Sequence, residues 1–144
     1  MNKWITSALI TAFVFLIANQ ALAEDFDGYK PLICALMDMV ECQPGGQCQS
    51  KSAEELGLPQ FVRINFQEKK ISGTQSGGSE RDTAIERLEQ VDGKMIIQGA
   101  EDGIKDVRDG VGWSLSIAEE TGKLVLTASG DEVAFVVFGA CTLP

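Results

Sequence analysis

The chain contains no histidine, and that absence removes the Ser-His-Asp triad, the Cys-His dyad, the HExxH zinc site and the histidine pH switch. Carboxylates and thiols remain. The densest acidic run is Glu101-Asp102-Gly103-Ile104-Lys105-Asp106-Val107-Arg108-Asp109-Gly110, in which Glu101, Asp102, Asp106 and Asp109 are oxygen ligands of the kind calcium takes. Their spacing does not match an EF-hand loop, and Lys105 and Arg108 offset the charge, so a solvated loop without a metal is expected. Glu119-Glu120 could supply the acid pair of a glycoside hydrolase, which needs two carboxyls about 5 to 10 Å apart across a cleft. Adjacent acids ahead of Thr121-Gly122 read instead as a polar turn. Neither a Gly-x-Ser-x-Gly elbow nor a phosphate loop occurs. A weak hydrolase would need two of Glu101, Asp102, Asp106, Asp109, Glu119 and Glu120 to converge in one cleft. The expectation is a non-catalytic protein with no cofactor.

The four cysteines, Cys34, Cys42, Cys48 and Cys141, are spaced without a Cys-x-x-Cys, which argues for structural bridges rather than redox or metal chemistry. Pro31 and the apolar recurrence Leu32, Leu36, Val40 suggest a helix over residues 31 to 41. A continuous helix would hold Cys34 and Cys42 roughly 12 Å apart, too far to bridge. Cys42 with Cys48, across the turn-forming Pro44-Gly45, and Cys34 with Cys141 are therefore favoured. Cys42 with Cys141 and Cys34 with Cys48 stays open as the rival. In the chain-entropy model the long bridge would contribute roughly 4 to 5 kcal/mol and the short one roughly 2 to 3.

Oxidised cysteines need an export route, and the first 23 residues have the form of one. Lys3, the apolar run Trp4 to Ala18 and the small-x-small sequence Ala21-Leu22-Ala23 make a signal peptide, cleaved before Glu24. Its apolar run of about 15 residues is short for a membrane span, which needs about 20. The whole chain carries 12 Lys and Arg against 21 Asp and Glu, net -9. Cleavage would remove one Lys and no acid, leaving 11 cations and 21 acids, net -10. Such an acidic chain is a poor nucleic-acid binder and is expected to be a monomer in the periplasm or secreted medium, off the membrane once cleaved, with a protein or small-molecule partner.

From residue 60 the apolar period changes to two. Val62, Ile64 and Phe66 alternate with polar residues, Lys70 to Thr74 reads as a return strand, and Asp92-Gly93 is a hairpin signal before Met95, Ile96 and Ile97. Trp113, Leu115 and Ile117 alternate, as do Leu124, Leu126 and Ala128, and Val133 to Phe138 is apolar throughout, as in a central strand or one covered on both faces. Residues 83 to 91 fit a helical stripe or a strand, with the turn at Asp92 favouring strand. Ser52 and Glu55 have the capping-box form ahead of Gly57 and Pro59, which predicts a single helical turn. The fold expected is mainly β, with a minor α component. Residues 60 to 144 would form an antiparallel meander curved into a sheet or small barrel, with residues 24 to 59, a helical cysteine-bearing segment, packed on it as one domain, 24 to 144. Trp113, Phe135 and Phe138 fit either a filled core or the lining of a pocket for an apolar ligand.

The block from Cys34 to Cys48, Leu58-Pro59-Gln60-Phe61, Gly112-Trp113-Ser114-Leu115 and the terminal Phe138-Gly139-Ala140-Cys141-Thr142 resemble those of a group of small exported proteobacterial proteins. The resemblance spans nearly the whole chain after the leader and implies export, but brings no activity or ligand. Gly110-Val111-Gly112-Trp113 departs from the Gly-x-Trp signature of lipocalin-type barrels. The reading is an exported binding or interaction protein, with a carrier or sensor of a small apolar ligand as the alternative.

Overall fold

The computed structural model describes residues 26–103 and 106–144; the leader expected over residues 1–23 lies outside them. Ten strands follow in order: β1 Leu32–Gln43, β2 Gln47–Lys51, β3 Phe61–Asn65, β4 Lys70–Thr74, β5 Glu80–Ala84, β6 Arg87–Val91, β7 Lys94–Glu101, β8 Val111–Ala118, β9 Lys123–Gly130 and β10 Val133–Thr142. They form one antiparallel sheet in the order β5-β4-β3-β1-β10-β9-β8-β7-β6, with β2 hydrogen-bonded to β1 off this path.

The helix expected over 31 to 41 is a strand, and among the described residues no helix is present. Leu32, Leu36 and Val40 are four apart, a spacing that a period of two satisfies as well as one of 3.6. Burial decides between them: Leu32, Cys34 and Leu36 point inward while Ile33 and Ala35 are only half-buried. A register shift between Leu36 and Asp38 then moves the inward set to Met39, as a β-bulge does, so Val40 leaves the face it was expected to share. Pro31 precedes the strand, where a missing N–H costs no ladder bond. The described part of the expected helical segment, residues 26 to 59, is thus not a helical unit laid on the sheet: β1 lies inside the sheet, between β3 and β10. Where a single helical turn is expected, one hydrogen-bonded turn forms, with Leu56 N–H donating to the Ser52 carbonyl at 3.2 Å. Ser52 and Glu55 exchange backbone-to-side-chain hydrogen bonds, Ser52 N to Glu55 Oε2 at 2.8 Å and Glu55 N to Ser52 Oγ at 3.2 Å.

Residues 83 to 91 explain the curl. Ile85 N–H donates to the Lys69 carbonyl at 2.8 Å, on the β4 side, and Glu86 N–H donates to the Gln98 carbonyl at 2.9 Å, on the β7 side. Two residues therefore carry the chain from one edge of the sheet to the other, and the sheet curls as a half-barrel whose edge strands β5 and β6 are successive stretches of one bent strand. Edge strands otherwise invite pairing with other chains. The Asp92-Gly93 hairpin closes β6 onto β7 with both turn residues left-handed, at φ 48° and 68°, the backbone such two-residue loops require.

Both favoured disulfides are present, each between residues opposite one another in the ladders: Cys34–Cys141 joins β1 to β10 and Cys42–Cys48 joins β1 to β2. In a strand Cys34 and Cys42 are roughly 26 Å apart, so the exclusion of that pair survives the loss of the helix.

The core sits toward one end of the curl. Ile64 pairs with Leu32 and Ile71, Ile117 pairs with Met95 and Leu124, and all are buried. Phe26, 2% exposed, closes this end. Its ring lies beside Gly122 (φ 64°), where an added Cβ would stand 2.6 Å from the Phe26 ring and 2.4 Å from the Cys141 carbonyl. Nothing but glycine suits that turn.

Candidate ligand cavity

At the other end the apolar interior is open. A cavity of about 500 Å³ lies inside the curl, within the range of small-molecule sites. Its wall is built in rows, because antiparallel registers set residues of alternate parity side by side. One row crosses Gly99, Trp113, Ala128 and Phe135 on β7, β8, β9 and β10. The row beneath it crosses Ile97, Leu115, Leu126 and Val137. Large aromatic side chains therefore alternate with Gly99 and Ala128, and the small residues leave the open space.

Trp113 occupies part of that space. It is 8% exposed, and a Cβ on Gly99 would fall 2.4 Å from its Cζ2. The indole Nε1–H donates to Thr83 Oγ1 on β5 at 3.2 Å, which satisfies the one polar atom of the ring. Nearer the mouth Arg81 spans the same gap, donating from Nε and Nη2 to Glu101 Oε2 at 3.1 and 2.5 Å. Among the described residues no backbone ladder joins β5 to β7. This stretch of wall is closed by side chains: Thr83 with Trp113, and Arg81 with Glu101.

Leu56, Leu58 and Pro59 complete another side, and the charged groups at the cavity are Arg81, Asp82, Glu101, Arg108, Asp109 and Asp131. Among the described residues no buried residue is polar or charged, and no buried side-chain nitrogen or oxygen lacks a partner. The deep part of the cavity thus offers hydrocarbon contact alone. At the cavity's margin Lys70 pairs with Asp82, whose carboxylate accepts the ammonium's hydrogen bond, the main reason that the lysine's pKa is raised.

Of the expected pocket residues, Trp113 and Phe135 line the cavity, whereas Phe138 does not. Phe138 is one parity step from Val137, so it projects from the outer face, 44% exposed. Of the two alternatives expected at Val133 to Phe138, the central strand holds and the double cover does not: β10 lies between β1 and β9 and is covered on its inner face. The alternation was masked because Val136 and Phe138, on the outer face, are apolar too. No residue pattern marks Leu56, Leu58 and Pro59 as reaching the cavity, since a loop's path is not encoded in periodicity.

Of the acidic candidates, Glu101 and Asp109 both border the cavity, whereas the rest do not line it. Among the described residues no group of three or more His, Cys, Asp or Glu could hold a metal ion. Glu101 is engaged by Arg81, Asp102 and Asp106 are exposed in the loop, and Asp109 lies against Gly103. Glu119 and Glu120 follow the far end of β8: Val111 pairs with Glu101 at the mouth, but Ala118 pairs with Lys94 at the closed end. No cleft unites the two sets.

No protein-family model matches the chain, and no curated protein matches it. Among the described residues no helix is long and apolar enough to cross a membrane, and the two disulfides fit an oxidising compartment.

Proposed function

We propose that this is an exported, periplasmic binding protein that carries or senses a small, largely apolar molecule held inside the curl. The observation that supports this most is the 500 Å³ cavity walled by Trp113, Phe135, Leu115 and Leu126. A domain of this size fills its interior when nothing is to be bound, because unfilled apolar space forfeits dispersion contacts. Here the disulfides and the Phe26 closure offset that loss. The size of the cavity suits an occupant of roughly ten to twenty non-hydrogen atoms.

The test is titration of the purified, oxidised protein with 1-dodecanol, followed by calorimetry and tryptophan emission. A saturable one-to-one complex that shifts the Trp113 emission is expected, and Ala128→Phe, which fills the row between Trp113 and Phe135, should abolish it. Binding that persists unchanged in Ala128→Phe would place the alcohol elsewhere and sink the reading.

A second reading, a protein-interaction module, draws on the outer face. Phe61, Met37 and Phe138 are exposed there, with Val125 opposite Phe138, and exposed apolar groups of this kind mark contact surfaces when they are contiguous.

A further inference from the structure

The charges around the mouth are lopsided, and they bear on what the occupant carries at its polar end. Resting on the reading of the cavity as a ligand site, we infer that the occupant is an amphiphile with a hydrocarbon tail and a cationic head.

The tail follows from the interior. Leu115, Leu124, Leu126 and Val137 offer no hydrogen-bond partner, and a polar group buried among them would lose its hydration uncompensated. The polar end must therefore stay at the mouth. Among the described residues, the charged groups that line the cavity are four acids, Asp82, Glu101, Asp109 and Asp131, against two bases, Arg81 and Arg108, a balance of -2. Asp102, Asp106 and Glu132, exposed in the connections that follow β7 and β9, add further acids at that end. Just inside lie Trp113 and Phe135, one residue of small Ala128 between them. Aromatic rings under a carboxylate rim attract an ammonium twice over, through the ring quadrupole and through the field of the acids. An anionic head of the same size would meet the opposite field.

The experiment compares three twelve-carbon probes of equal tail, each below its micelle concentration: dodecyltrimethylammonium, 1-dodecanol and dodecanoate. The cation is expected to bind at least about tenfold more tightly than dodecanoate at low salt, with the alcohol between them, and the ratio should shrink as salt screens the rim. Asp102→Asn combined with Glu132→Gln, both exposed beside the mouth and outside the cavity lining, should weaken the cation about threefold, strengthen dodecanoate, and leave the alcohol unchanged. Dodecanoate binding as tightly as the cation would overturn the head-group inference while leaving the cavity reading intact. If none of the three binds, both fail. A cation preference that survives in Ala128→Phe reports attraction to the acidic surface alone and also overturns the inference.

Discussion

Trp113 is held by what its neighbours lack. Gly99 has no side chain, so the indole can lie over β7, and Thr83 supplies the acceptor that its Nε1–H needs. Gly99→Val should displace the ring, destabilise the protein by about 1 to 3 kcal/mol as overpacking does, and red-shift the Trp113 emission. Thr83→Val keeps the shape but strands the indole N–H, a loss of about 1 to 2 kcal/mol that Thr83→Ser should largely restore; denaturant melts of the three variants decide. At the far side of the cavity, hydrogen bonds from Ser52 lower the pKa of Glu55, with Lys51 adding a smaller pull. A carboxyl lowered on folding contributes stability that is complete above its unfolded pKa and is lost as pH falls through the folded one. Carboxyl NMR should therefore find Glu55 titrating below the ordinary glutamate range in the native protein. In Ser52→Ala it should return toward that range.

At the scale of the elements, the two disulfides do different work. Cys34–Cys141 closes a sequence separation of 107 residues and ties the first strand of the sheet to the last, whereas Cys42–Cys48 closes one of 6. Paired alanine substitutions should cost roughly 4 to 5 kcal/mol for the long bridge and roughly 2 to 3 for the short one, read from denaturant midpoints. Much of this level was legible in the residues. The Asp92-Gly93 turn, the return strand Lys70 to Thr74 and the inward sets of β8 and β9 all follow from period two and turn chemistry. β1 is not legible as a strand because its even-numbered apolar residues fit two periods at once, and because a bulge at Met37 hides the parity change behind an ordinary sequence. The cavity was legible only as lining residues. Whether Trp113 and Phe135 meet across a filled core or face open space depends on Ala128 and Gly99, whose small size means something only once the register aligns them.

For the molecule as a whole, stability and binding draw on the same interior. One end is packed to closure around Phe26, Ile64, Met95 and Ile117, and the other is left open beneath an acidic rim. A ligand that binds only the folded state at a hundred times its Kd adds about 2.7 kcal/mol, which for a domain of this size raises Tm by about 10 °C. Ala128→Phe should reach part of that gain without ligand. Its ring would occupy the open row and bury apolar surface worth about 1 to 2 kcal/mol, so the variant's ligand-free Tm should exceed the native protein's. Added ligand should then leave it unmoved. Thermal melts of both proteins with and without the twelve-carbon alcohol test this directly. A variant less stable than the native chain would mean that the row is already packed to its limit, and that the space between Trp113 and Phe135 is not open to an occupant.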